Sequence, residues 1–77
     1  MNTEILITSP PDRERVVAEI WYGDSQLAEL NEEAGQPMLE IYPNPTGEAW
    51  ILDFNELVSL LERARAALRT DSKPGAK

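Results

Sequence analysis

The 77-residue sequence predicts an α+β domain, an antiparallel β-meander of four or five strands with one C-terminal α-helix packed on one face. Two observations carry that reading. The hydrophobic pattern changes from alternation to three- and four-residue steps at Asp53, and Gly- or Pro-containing turns punctuate the chain before it. The connections are short, which keeps successive strands adjacent.

The elements follow in order. Glu4 to Thr8 holds Ile5-Leu6-Ile7, a strand rich in β-branched residues, and Ser9-Pro10-Pro11-Asp12 ends it. Arg15 to Tyr22 is the second predicted strand. Gly23-Asp24 is a two-residue hairpin with Gly first, as a type II′ turn prefers. Ser25 to Asn31 is the third strand, Glu32-Glu33-Ala34-Gly35 a polar turn, and Pro37 to Tyr42 the fourth strand. Pro43-Asn44-Pro45-Thr46-Gly47 is a second turn, and Glu48 to Leu52 the expected fifth strand. Asp53-Phe54-Asn55-Glu56 then reads as a capping box that opens a helix running to about Arg69. Its predicted buried stripe is Phe54, Leu57, Val58, Leu61, Ala64 and Leu68, broadened by Leu60. Arg63, Arg65 and Arg69 complement the negative end of the helix dipole. One domain over residues 1–70 with a disordered polar tail at 71–77 is the expected organisation.

Pairing across Gly23-Asp24 sets the expected faces. Tyr22 opposite Ser25 and Ile20 opposite Leu27 place Val17, Trp21, Ala28 and Leu30 beneath the helix, joined by Leu39 and Ile41. The other face is then expected to hold Ala18, Ile20, Tyr22, Leu27, Glu29, Met38, Glu40 and Tyr42. One helix covers only one side of a sheet, so this mixed apolar, aromatic and acidic face is read as an interface.

Composition narrows the chemistry. There is no histidine and no cysteine, which removes the commonest general base, the commonest metal ligand and all thiolate chemistry. Glu32-Glu33 read as a solvated turn rather than an acid–base pair. Asp24 lacks the alternating spacing of a calcium loop, and the glycines form no phosphate-binding loop. No catalytic residue, metal ligand or cofactor is therefore expected, and the chain is not read as an enzyme. The N-terminus has no basic region or apolar run of a signal peptide, and no segment approaches a membrane span, so a cytoplasmic location is expected.

Net charge is −7 and unevenly spread. Residues 1–56 carry twelve acids and two bases, a net of −10; residues 57–77 carry two acids and five bases, a net of +3. From Val16 to Glu56 there are nine acids, both tryptophans and both tyrosines, and no Lys or Arg. One-sided charge opposes compactness, so a basic protein partner is expected, steered by charge and held by aromatic anchors. Direct nucleic-acid binding, which needs phosphate neutralisation, is not. The expected partner-binding residues are Tyr22, Asp24, Glu29, Glu32, Glu33, Glu40 and Tyr42.

The runs Ala18-Glu19-Ile20-Trp21-Tyr22-Gly23-Asp24, Ala28-Glu29-Leu30 and Leu39-Glu40-Ile41-Tyr42-Pro43, followed by Trp50 and a helix opened by Asp53-Phe54, resemble a known family. It comprises small bacterial proteins encoded beside polymorphic toxin genes, the immunity proteins of contact-dependent growth inhibition and related toxin systems. The resemblance covers about residues 4–68. It implies that the chain binds one cognate toxin domain, often a nuclease, and needs no cofactor. Two other readings fit the acidity: a nucleic-acid mimic that inhibits a nucleic-acid enzyme, and a small regulatory protein that pairs its open face with itself. A monomer or weak homodimer that does not bind membranes is expected.

Overall fold

A computed structural model describes residues 2–12 and 14–72. Four strands form one antiparallel sheet in the order β1-β2-β3-β4: β1 (Thr3–Thr8), β2 (Val17–Tyr22), β3 (Ser25–Asn31) and β4 (Met38–Ile41). Among the described residues a single helix, α1 (Phe54–Ser72), packs on one face, which is the α+β architecture read from the sequence.

Local chemistry accounts for each joint. Gly23 has φ +65° and among the described residues no non-glycine residue has positive φ, so Gly23 takes the left-handed first position of the hairpin and Asp24 the ordinary second one. Its N–H donates to the Asn2 carbonyl at 2.7 Å, which ties the start of β1 to the β2–β3 hairpin. At the other end of the sheet, the Arg15 N–H donates to Glu33 Oε2 at 2.9 Å and the Glu33 N–H to Asn31 Oδ1 at 3.2 Å. These bonds close the β1–β2 connection onto the β3–β4 turn, beside the buried Val17 and Asn31.

The register differs from the expected one at a single place, and the difference exchanges the faces of β2. Tyr22 pairs with Ser25 and Trp21 with Gln26, as a two-residue turn requires. Ile20 then pairs with Ala28, Glu19 with Glu29 and Ala18 with Leu30. Leu27 is the extra residue of a β-bulge. The bulge lets Leu27 and Ala28 both reach the core and puts Ala18, Ile20, Ala28 and Leu30 on one side. The core beneath α1 is therefore Ala18, Ile20, Leu27, Ala28 and Leu30, packed on Leu60, Ala64 and Leu68 of the helix. Val17 and Trp21 lie on the opposite face, not beneath the helix. Ala18, Ile20 and Tyr22 lie beneath it, not on the open side. Leu39 and Ile41 pair with Leu30 and Ala28 and do face the helix side.

Two further expectations are corrected. The segment 48–52 is not a strand. Trp50 and Leu52 turn inward against the core while Ile51 is 87% exposed. This alternation imitates a strand, but the chain here climbs from the sheet to the helix layer. It is anchored by the Trp50 Nε1–H, which donates to the Tyr42 carbonyl at 2.8 Å. The helix is also rotated from its predicted stripe: Leu60, Ala64 and Leu68 are fully buried, Leu57 and Leu61 partly, while Phe54 and Val58 are exposed.

Asp53 caps α1 as expected, its Oδ2 accepting from the Glu56 N–H at 2.8 Å. The helix continues past Arg69 to Ser72, so Asp71 and Ser72 of the predicted tail are helical, and 73–77 lie outside the described residues. Among the described residues no helix is long and apolar enough to cross a membrane.

Urea melts check this packing. Leu60→Ala is expected to cost about 2–5 kcal/mol through the cavity it opens. Asp53→Ala should cost about 1 kcal/mol through the lost cap. Phe54→Ala should stay within about 0.5 kcal/mol, as a surface change. Equal losses at Leu60 and Phe54 would mean that the helix is rotated back towards the sequence-predicted stripe.

Candidate functional site: an acidic and aromatic sheet face

The face opposite α1 is built from the residues that alternate with the core. They include Glu4, Leu6 and Thr8 of β1, Glu19 and Trp21 of β2, Glu29 of β3 and Glu40 and Met38 of β4, with Val17 and Asn31 buried at one end of the face. Strand register puts four of them in one row. Leu6 lies opposite Glu19, Glu19 opposite Glu29, and Glu29 opposite Glu40. Three carboxylates thus cross three adjacent strands side by side. Directly opposed like charges oppose sheet formation, so the row is not there for stability.

Aromatic and hydroxyl donors hold these carboxylates. The Trp21 Nε1–H donates to Glu19 Oε1 at 3.1 Å, and the Thr8 hydroxyl to Glu19 Oε2 at 3.3 Å. The Tyr42 hydroxyl reaches Glu29 Oε1 at 3.3 Å and Glu40 Oε1 at 3.4 Å. One phenol proton is shared between two acceptors, which makes both bonds long. Glu29 is 8% exposed, whereas Glu40 at the edge is open to solvent.

Burial first, and then the charges of Glu29 and Glu40 and the hydrogen bonds to them, together push the Tyr42 phenol up from 10.0 to about 12. The phenol therefore remains a proton donor to the carboxylate row at neutral pH.

The sequence-predicted site residues are divided by the fold. Glu29, Glu40 and Tyr42 come together on this face. Tyr22 does not: it lies on the helix side, edge-on to Trp50 with ring centroids 6.3 Å apart and planes at 82°. Asp24 sits at the hairpin tip, lining a cleft of about 590 Å³ with Glu48 and Trp50. Glu32 and Glu33 lie at the opposite end of the sheet, where Glu33 accepts the Arg15 N–H. Sequence reasoning missed Glu19 and Trp21. A signal was present: Glu19 shares its parity with Val17 and Trp21, and a buried core row does not readily accept a glutamate.

Among the described residues no group of three acidic side chains is arranged to hold a metal ion. No protein-family model, curated protein or solved structure matches this chain.

Alkaline titration tests the Tyr42 geometry. The folded phenol holds its proton more tightly than the unfolded one. Its contribution to stability is thus complete below pH 10.0 and is lost as pH rises towards about 12. Tyr42→Phe should remove a late-ionising phenol from the ultraviolet titration and flatten the alkaline fall in stability. An unchanged titration curve would contradict the Tyr42–Glu29–Glu40 arrangement.

Proposed function

We infer that the chain is a non-enzymatic binding protein that neutralises a basic protein partner, in the manner of the immunity proteins it resembles, with the cytoplasm as its place of action. The observation that carries this reading is the row Glu19-Glu29-Glu40, flanked by Trp21 and Tyr42 on the sheet face that α1 leaves uncovered. A row of carboxylates on a rigid sheet focuses negative potential and speeds encounter with a cationic cleft. Trp21 and Tyr42 have the large, stiff rings that act as anchors at interface centres. Leu6 and Met38, both exposed on this face, supply apolar contact around them.

A nuclease-type toxin domain is the partner class that suits the face best, because its phosphate-binding cleft is basic. Adjacent strands are about 4.8 Å apart, so the three carboxylates span only about 10 Å. That is enough to occupy one cationic cleft but is a poor imitation of an extended phosphate tract, which favours a protein-specific inhibitor over a general nucleic-acid mimic. In this arrangement Asp24, Glu32 and Glu33, at the two ends of the sheet, add long-range attraction rather than direct anchorage.

The test is a kinetic binding assay against the product of the adjacent gene, at low and high salt. Trp21→Ala or Tyr42→Ala should weaken binding by about 2 kcal/mol or more, mainly through faster dissociation. Glu40→Lys should slow association and lower its salt dependence, and Glu32→Lys should do so more weakly. Binding that ignores Trp21, Tyr42 and Glu40 alike would sink the proposal.

A further inference from the structure

We propose that the helix side of the sheet is a self-association surface, occupied by the α1 helix of a second copy of this chain. Its starting point is a mismatch of widths. α1 packs on β1 and β2 and to a smaller extent on β3, and among the described residues it makes no comparable contact with β4. The strip of sheet beside it is consequently left as an apolar groove of about 350 Å³, floored by Leu39 and Ile41 and walled by Leu57 and Leu61. Ile41 is 65% exposed there.

The same side of α1 carries a ridge that matches the groove. Phe54, Val58, Leu61 and Arg65 recur at four-, three- and four-residue steps, so they share one helix face, and Arg69 continues it. Leu61 belongs to both groove wall and ridge, which fixes the ridge on the β4 side. Phe54 is 75% exposed. An apolar hollow and an apolar ridge side by side on one surface are what a two-fold interface requires, because each copy must present both halves of the contact.

Charge selects a second copy over a foreign segment. The groove ends at Trp50, which also lines the cleft that holds Asp24 and Glu48, and Asp53 caps the adjoining helix end. Among the described residues no Lys or Arg lines the groove or the cleft. Arg65 and Arg69 stand at the other end of the ridge. Antiparallel approach of two α1 helices about an axis near Val58 and Leu61 brings Arg65 and Arg69 of each copy towards Phe54, Asp53 and Glu48 of the other. It offers each guanidinium a ring face or a carboxylate.

This inference is independent of the function proposed above, since it uses the opposite side of the sheet. Sedimentation equilibrium of the full chain from about 10 µM to about 1 mM reads it directly. The mass should rise from 8.6 kDa towards twice that value. Phe54→Glu and Ile41→Glu, both at exposed positions and checked for folding by circular dichroism, should each raise the dissociation constant about tenfold or more. Arg65→Glu should shift it in the same direction, and Trp21→Ala on the other face should leave it unchanged. A chain that stays monomeric throughout overturns the proposal. So does a dimer indifferent to Phe54→Glu and Ile41→Glu, or one that Trp21→Ala dissociates. A monomer whose Ile41 and Leu61 methyl resonances shift on adding a basic amphipathic peptide would overturn it in favour of a foreign helix.

Discussion

The one-residue bulge at Leu27 is the constraint on which the rest of the fold depends. A two-residue hairpin at Gly23-Asp24, continued without interruption, would set Ile20 opposite Leu27 and Ala18 opposite Glu29. The apolar sets of the two central strands would then lie on opposite sides of the sheet, or Glu29 would be forced into the core. Burying a residue such as Leu30 or Ile20 is worth about 1.5–3 kcal/mol, and several such side chains change sides together when a register slips by one. The bulge resolves the conflict, aligning Ala18 and Ile20 with Leu30 and Ala28. With the same shift it aligns Glu19 with Glu29, so the core and the carboxylate row arise from one irregularity.

The single helix sets the second constraint. A four-stranded sheet is wider than one helix, and α1 sits over the β1–β2 side, where Ile5, Ile7, Ala18 and Ile20 offer an apolar floor. β4 receives no cover from it among the described residues. The domain is thus left with two unlike surfaces: an acidic, aromatic face opposite α1 and an apolar groove beside it. The uncovered acidic face supports the proposed capture of a basic partner, and the groove supports the proposed pairing of copies. Neither surface needs the other to be occupied.

Polar contacts at the acidic face are arranged around stiff donors. Indole N–H, phenol O–H and threonine O–H groups fix the carboxylates of Glu19, Glu29 and Glu40. Ordering these groups before a partner arrives lowers the entropy lost on binding. Much of this site was legible in the chain. Glu29, Glu40 and Tyr42 fall on one face of neighbouring strands once alternation is combined with an even-length β3–β4 turn. Trp21 and Tyr22 exchange faces relative to the expectation because the bulge shifts the register between Ile20 and Trp21, and the same shift sets Glu19 beside Glu29. The even-numbered apolar residues of both strands, Ala18 and Ile20 with Ala28 and Leu30, were the available clue. A two-residue hairpin cannot put two such sets on one side without an extra residue.

By itself the sequence determined the fold class, the four strands, the Gly23-Asp24 hairpin and the Asp53 cap. Each rests on local chemistry: residue alternation, a glycine tolerating positive φ, and a carboxylate satisfying the first helix N–H groups. Only the tertiary structure decided which face of β2 is buried, how α1 is rotated, and that 48–52 is a connector. Those outcomes depend on how many apolar side chains two layers bury at once. That sum is a property of the packed sheet and helix together, and no single segment carries it.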